Sequence, residues 1–234
     1  MHKQTINERE QMPRAPIAQM KKDDIIKLSK GRCEHGHNFL EHYSCYLQNK
    51  AKNDELKIGF FDIEASNLRA DFGIVLCYCI KNSWENKIVE RCITKQELKK
   101  DLDKQVIVQL IEDFKLYDMI VGFYSTKFDV PFVRTRALVH NLAFPEFGEL
   151  FHRDAYYMVR NKFCLSSNRL ENSCRVLTGK TDKTRIDSDH WLHALQGEKK
   201  SLDYIVEHCR YDVLDLEKLY NKVNPFTKMI KKSM

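Results

Sequence analysis

The sequence lacks any apolar run approaching the ~20 residues that a helix needs to cross a bilayer. It is also poor in glycine and proline, with 8 and 5 residues, which excludes collagen-like repeats and low-complexity disordered chains. The opening segment MHKQTINEREQMPRAP has no apolar stretch of the kind found in secretory signal peptides. We therefore expect one globular core with an appendage, in an intracellular, cytoplasmic protein that does not act at a membrane.

The cysteines and the net charge indicate the redox state and the kind of binding partner to expect. Without a secretory signal, we expect the eight cysteines to be reduced core residues or metal ligands rather than disulfides. The net charge of +6 permits a polyanionic partner through attraction to phosphate, but it falls short of a histone-like tail. Charge alone therefore gives only a weak indication of nucleic-acid binding.

Hydrophobic patterning predicts an α/β fold. Three segments rich in Ile, Val, Phe and Tyr follow one another and predict an antiparallel meander: KIGFFDIEA, GIVLCYCIK and KIVERCIT. An amphipathic helix is predicted next, because apolar residues recur at helical spacing: Leu98, Leu102, Val106, Leu110 and Phe114. The segment MIVGFYS then predicts a short buried strand.

Capping signals place the later helices. Asp129 is expected to cap a helix with Pro131 in its first turn. A second helix is expected near Asn168, with Glu171 as capping-box partner and Gly179 as its stop, and SLDYIVEHCRYDVLDLEKLYNKV predicts a long terminal helix. We divide the chain into an N-terminal segment 1–56, a main domain 57–224 and a short basic tail 225–234.

Carboxylates recur where a catalytic site needs them. Asp62 and Glu64 lie two apart on a predicted strand and so share a face, where two crowded acids favour a divalent cation. Asp129 directly follows a strand, and His208 and Asp212 share a helical face at i and i+4. Taken singly, these residues are better explained as a solvated strand edge, a helix cap and an exposed polar stripe. Their joint order favours one active site.

With these motifs, the segment from Lys57 to Val223 resembles the DEDD 3′-5′ exonuclease superfamily. The similarity is greatest to predicted exonucleases with a YprB-type ribonuclease H-like domain, and more distant to the proofreading domains of family B polymerases. The resemblance implies a ribonuclease H-like mixed sheet flanked by helices. It also implies that Asp62, Glu64, Asp129 and Asp212 bind two Mg²⁺ or Mn²⁺ ions.

His208 departs from the pattern of that superfamily. It stands four residues before Asp212, where the Tyr-type subclass has a tyrosine, whereas the His-type subclass has its histidine five before. The position five before is Glu207, which on a helix points away from the Asp212 face. We expect His208 to be a general base and not a metal ligand, since an imidazole with a pKa near 6.5 accepts a proton at cellular pH.

Basic residues after the second motif suggest contacts to a nucleic-acid strand, DNA or RNA, with a 3′ end. Aromatic residues are interleaved among them, and single-strand grooves use both kinds. A solvated helical face over an aromatic core would look the same. The candidate nucleic-acid-binding residues are Arg175, Lys180, Lys183 and Arg185.

A Cys/His-rich segment lies near the N-terminus, GRCEHGHNFLEHYSCY. Its density of ligand-type residues suggests one structural Zn²⁺, and one arrangement uses Cys33, His37, His42 and Cys45. The spacing matches no standard zinc finger. A histidine-rich turn with two buried cysteines is the alternative.

Three functions fit these observations. The first is an exonuclease that acts on a free 3′ end, and the second is a structure-selective endonuclease on the same fold. The third is a catalytically inactive nucleic-acid-binding adaptor. Retention of all four acids argues against the adaptor.

Overall fold

The computed structural model describes residues 22–43, 45, 46, 49, 56–146, 149–181 and 186–227. A short helix α1, Lys22–Lys30, comes first. The meander that follows consists of β1 Ile58–Ala65, β2 Val75–Asn82 and β3 Ile88–Cys92, as predicted. The next elements are α2 Lys95–Lys100, α3 Lys104–Phe114, β4 Met119–Gly122 and α4 Asp129–Val139.

The second half of the chain is mainly helical. β5 Phe151–Asp154 leads directly into α5 Ala155–Lys162. Three helices follow, α6 Leu170–Leu177, α7 Ser188–Leu195 and α8 Lys199–Val223, and a 3₁₀ turn, Asn224–Phe226, ends this part. No helix among the described residues is long and apolar enough to cross a membrane.

The strands form one five-stranded mixed sheet in the order β3-β2-β1-β4-β5. β1 pairs antiparallel with β2 and parallel with β4, while β4 pairs parallel with β5. β1 is therefore the central strand; half of its eight residues are buried, and helices pack on both of its faces. The α/β, ribonuclease H-like architecture expected from the sequence is confirmed.

The amphipathic helix predicted to run through Leu98 and Phe114 is wrong as a single element. It breaks between α2 and α3, where Leu102 adopts the left-handed conformation at φ 54° and is 43% exposed. The reason lies at Asp103, whose buried carboxylate accepts a hydrogen bond from Val75 N at 2.9 Å and pairs with Arg136 at 2.7 Å. A continuous helix would not deliver Asp103 to these long-range partners.

Two capping predictions are also wrong. Asp129 is the first residue of α4 and not its N-cap, which is Phe128. The helix expected near Asn168 begins at Leu170, without a side-chain cap and therefore without the capping box. Its stop is confirmed, because Gly179 follows the C-cap in the left-handed conformation at φ 84°.

Strand β5 was not predicted. Its sequence, FHRD, contains three polar residues, all of them buried, so it lacks the apolar alternation that marks a half-buried strand. Its position at the edge of the sheet gives it one strand partner, β4.

Candidate active site

The two-residue spacing on β1 places Asp62 and Glu64 on one face of the sheet. Phe60 shares that face, and its ring centroid lies 5.5 Å from that of Tyr220 on α8. Phe61 points to the other face, where it packs against α3. The face that carries both acids is therefore covered by the long terminal helix.

α8 brings His208 and Asp212 against Glu64. The Nε2 atom of His208 lies 3.7 Å from Glu64 Oε1 and 3.8 Å from Asp212 Oδ2. One potential ligand atom of each residue lies within 4.8 Å of the others. The side chains are 8%, 13% and 7% exposed for His208, Glu64 and Asp212, so the charges are close together and largely shielded from water.

Asp62 touches the same helix through Cys209. The Cys209 thiol donates to the main-chain oxygen and to Oδ2 of Asp62, both at 3.5 Å. Burial raises the pKa of this thiol well above its ordinary value, so it remains a protonated donor. The contact holds the Asp62 carboxylate against α8, one residue from His208.

Asp129 reaches the site from the start of α4. Its Oδ1 accepts a hydrogen bond from Ile63 N at 3.2 Å, between the two acids of β1. Because β4 has ended at Gly122, this carboxylate satisfies a main-chain N–H of β1 that β4 does not reach. The side chain therefore bonds to the central strand as well as to its own main-chain N–H at the start of α4.

The electrostatics of Asp129 indicate crowded negative charge. The pKa of this carboxyl is raised to about 7: burial is the largest cause, the charges of Asp154 and Asp212 add to the rise, and hydrogen bonds from main-chain N–H groups oppose it. The side chain is 3% exposed, so water does little to screen the repulsion. A divalent cation among these carboxylates would offset it.

A neighbouring acid that the sequence reasoning missed supports the loop. Asp154, at the end of β5, accepts hydrogen bonds from Tyr124 N at 2.8 Å and Thr126 N at 2.9 Å, and it caps α5 through Tyr156 N. These bonds hold the turn that leads from β4 to Asp129. An aspartate directly before a helix is a known capping signal, but its second role needs the neighbouring strand.

The candidate strand-binding residues are partly described. Arg175 and Lys180 are exposed at the end of α6 and just after it, and Arg175 bonds Asn172 Oδ1 at 2.9 Å. Thr181 joins this segment to α8 through Asp215 Oδ2 at 2.7 Å. Lys183 and Arg185 lie outside the described residues, as does the basic end of the tail from position 228.

In the Cys/His segment, the structure brings together Cys33, His35, His42 and Cys45, whose potential ligand atoms all lie within 4.8 Å of one another. His35 thus takes the place expected for His37, whose ring instead packs on that of His42 at 4.1 Å between centroids. Burial raises the pKa of the Cys33 thiol, but hydrogen bonds from His35, His37 and His42 outweigh it and lower the pKa to about 6. This cluster could hold a metal ion.

Comparison with known proteins places these features in a family. The fold is similar to that of the family B DNA polymerase from the hyperthermophilic archaeon Pyrobaculum calidifontis, with 18% identity and a TM-score of 0.59. The match covers 73% of this chain but only 25% of the polymerase chain, so the chain spans about a quarter of that protein's length. No curated protein matches the sequence.

A family model described as RNase_H superfamily matches residues 59–224. That range contains the acids of β1, Asp129 and the whole of α8. Membership of this superfamily supports a nuclease-type function, and RNase H-like nucleases generally use divalent metals. Because the match spans most of the sequence, the chain belongs to the RNase H superfamily.

Proposed function

We propose that this protein is a two-metal-ion nuclease of the DEDD type. It hydrolyses phosphodiester bonds from the 3′ end of single-stranded or frayed DNA or RNA, and the domain 57–224 carries the activity. The observation that supports this most is the grouping of Glu64, His208 and Asp212. Asp62 accepts a hydrogen bond from Cys209, next to His208, and Asp129 accepts one from Ile63, next to Glu64. The sequence resemblance to DEDD exonucleases points in the same direction.

The donor set suits a hard divalent cation. Four carboxylates supply only oxygen ligands, which Mg²⁺ and Mn²⁺ prefer, and Asp129 holds a raised pKa where no cation offsets the charge. Asp62, Glu64, Asp129 and Asp212 would hold the ions. When bound, the ions would neutralise charge on the phosphate and make a water molecule easier to deprotonate.

His208 would act as the general base. Its Nε2 faces both Glu64 and Asp212, so a water held near these acids is within reach of the imidazole. After the proton transfer, the two carboxylates at 3.7 and 3.8 Å would stabilise the imidazolium. The water oxygen then attacks phosphorus, and the bond to the 3′ oxygen of the preceding nucleotide breaks.

An aromatic cluster beside the segment between β4 and α4 would contact the nucleic-acid strand. Tyr124 is 45% exposed and has a left-handed φ of 62°, a conformation that its bonded main-chain N helps to hold. Its ring lies 4.9 Å from that of Tyr156, which in turn contacts Tyr157. An exposed, fixed ring close to Asp129 offers a surface for base stacking, and Arg175 and Lys180 would attract phosphate.

The test is cleavage of 5′-labelled single-stranded DNA, single-stranded RNA and duplexes in Mg²⁺, in Mn²⁺ and in chelator. We expect metal-dependent products that shorten one nucleotide at a time. Asp62→Ala should lower the rate by about 10³-fold or more, since metal-ion catalysis contributes several kcal/mol. Asp203→Asn is the control, because Asp203 is an exposed acid on α8 that pairs with Lys199.

Further substrates separate the three functions. A circular strand and a strand with a blocked 3′ end should resist an exonuclease, whereas an endonuclease would cut both. Binding without cleavage in every metal would favour the adaptor. Full activity of Asp62→Ala would overturn the site assignment whatever the product pattern.

A further inference from the structure

We propose that Cys33, His35, His42 and Cys45 bind one structural Zn²⁺, and that this ion fixes the Cys/His module over the edge strand β5. The Cys/His module comprises residues 31–43 with Cys45 and Tyr46. The proposal concerns a different part of the chain from the nuclease site, and it does not depend on nuclease activity.

The distances between ligand atoms match a tetrahedral site. Cys33 Sγ lies 3.8 Å from His35 Nδ1 and 3.6 Å from His42 Nδ1. Cys45 Sγ lies 3.5 and 3.7 Å from the same two nitrogens. Zinc bonds of about 2.3 Å to sulfur and about 2.0 Å to nitrogen predict a sulfur–nitrogen edge of about 3.6 Å in a tetrahedron. All four edges lie close to that value.

The main chain explains how the first two ligands converge. Arg32 and Asn38 form an antiparallel bridge, and Cys33 N donates to His37 O at 2.9 Å. Gly36 closes the turn at φ 80°, a left-handed conformation that favours glycine, and its N donates to Cys33 O. The tight turn brings His35 back beside Cys33.

The other two ligands come from a helical turn. Cys45 N donates to His42 O at 2.9 Å, and this spacing of three residues places both side chains on one face. The hairpin and the helical turn thus each contribute one thiol and one imidazole. Zn²⁺ prefers thiolate and imidazole ligands in a tetrahedral arrangement, whereas Mg²⁺ prefers oxygen ligands.

His37 is placed to support the site and not to bind the ion. Its ring packs against that of His42, and its main-chain oxygen is engaged by Cys33 N. Neighbours that orient a ligand in this way commonly accompany metal-bound histidines. His35 and His37, one residue on either side of Gly36, therefore provide a matched pair of variants.

The module also contacts the sheet. The Tyr43 ring lies 5.5 Å from that of Phe151 on β5, and Tyr46 packs on Tyr43 and Phe39. β5 is an edge strand, and covering such an edge protects it from pairing with other chains. It also ends in Asp154, which holds the loop leading to Asp129. Zinc in the module would thus stabilise the far edge of the nuclease sheet.

Elemental analysis of the full chain, purified without chelator, should give about one zinc per molecule. His35→Ala should lose the zinc, and His37→Ala should keep it. Loss in His37→Ala with retention in His35→Ala would overturn the ligand set. Wild-type protein that is folded and free of zinc, iron and other transition metals would overturn the site.

Replacement of zinc by Co²⁺ gives a spectroscopic test that tolerates poor folding of the alanine variants. The wild-type protein should show the visible absorption of a tetrahedral site and charge-transfer bands from two thiolates. His35→Cys preserves four ligands, so it should bind Co²⁺ and raise the charge-transfer intensity by about half, from two thiolates to three. An unchanged spectrum would mean that position 35 is not a ligand.

Hydrogen exchange separates the structural role from simple binding. Removal of zinc with a chelator, followed by addition of Mg²⁺ alone, should increase exchange in the module and in β5 while β1 and β2 remain protected. Unchanged exchange in β5 would show that zinc does not fix the module over this strand. Because neither metal content nor exchange is read through cleavage, an inactive nuclease would leave the test intact.

Discussion

The carboxylate site and the Cys/His module both gather side chains that could bind a metal ion, but over very different lengths of chain. The carboxylate site draws on β1, the start of α4 and the middle of α8, from Asp62 to Asp212. The module uses residues between Cys33 and Cys45. One site needs the whole sheet before its residues meet, whereas the other needs one hairpin and one helical turn.

From this difference we expect a different order of folding and metal binding in the two regions. The carboxylates are brought together by a large core, so the sheet should form first and hold repelling charges until a cation binds. The module has few buried apolar residues of its own, so zinc should supply much of its stability. Removal of metal should therefore destabilise the module. The carboxylate site should stay folded, with its acids repelling one another.

The largest effect that would test this comparison concerns histidine, which has a different role in each region. His208→Ala should lower the cleavage rate by roughly 10²–10⁴-fold, the usual range for loss of a general base, with little change in the Mg²⁺ concentration needed. His35→Ala should instead lower metal content. Single-turnover cleavage across Mg²⁺ concentrations measures the rate and the Mg²⁺ requirement of His208→Ala, and elemental analysis measures the metal content of His35→Ala.

His208→Tyr provides the matched control. A tyrosine at this position restores the spacing of the Tyr-type subclass and should recover part of the rate by orienting the water, although its ordinary pKa near 10 makes it a poorer base. If His208→Ala kept near wild-type activity, His208 would be only a polar residue on α8. If it mainly weakened Mg²⁺ binding, it would be a ligand.

The next effect concerns the repulsion between the Asp129 carboxylate and the neighbouring charges of Asp154 and Asp212. Its pKa rises from 3.8 to about 7 in the fold, so the folded protein holds a proton that the unfolded chain loses between those pH values. The associated stability is present below about pH 4 and is lost as pH rises through about 7. Asp129→Asn keeps the hydrogen-bond acceptor for Ile63 N and removes the charge.

In buffer without Mg²⁺ or Mn²⁺, Asp129→Asn should therefore stabilise the protein at pH 8, by up to about 4 kcal/mol. The gain should shrink towards zero as the pH approaches 4. Denaturant unfolding at several pH values measures it. Added Mg²⁺ should stabilise the wild type more than the variant at pH 8. A variant that is less stable at pH 8 would show that the carboxylate charge is already offset within the fold.

How far the sequence predicted the fold follows from which interactions are local. The meander and α8 were predicted because apolar periodicity reports burial within each segment. The break at Leu102 was missed because its cause, the bond from Val75 N to Asp103, joins residues far apart in sequence. β5 was missed because burial of His152, Arg153 and Asp154 depends on partners outside the strand.

The candidate sites divide in the same way. Two-residue spacing on β1 and four-residue spacing on α8 predicted which acids share a face, and the structure places Glu64, His208 and Asp212 together. Their catalytic roles stay predictions. In the module, the choice between His35 and His37 could not be made from spacing, since both flank Gly36 and the direction of the turn decides which ring meets the thiols.

Thiols also differ between the two regions, and Cys209 gives the smallest expected effect. In the module, Cys33 and Cys45 would bind metal as thiolates, whereas buried Cys209 keeps its proton and donates a hydrogen bond to Asp62. Cys209→Ala removes one weak hydrogen bond to a carboxylate. We expect a rate loss of about five- to tenfold, since such a bond contributes about 1 kcal/mol.

Cys209→Ser is the control, because a hydroxyl in the same place still donates to Asp62 and should retain most of the rate. Zinc content should remain unchanged in both variants, which would separate the two regions. Equal losses in the alanine and serine variants would mean that Cys209 acts through packing against the sheet and not through its hydrogen bond to Asp62. A loss comparable to that of Asp62→Ala would mean that the thiol takes part in the chemistry. The carboxylate site would then use sulfur as well as oxygen, and the contrast with the sulfur ligands of the module would be wrong.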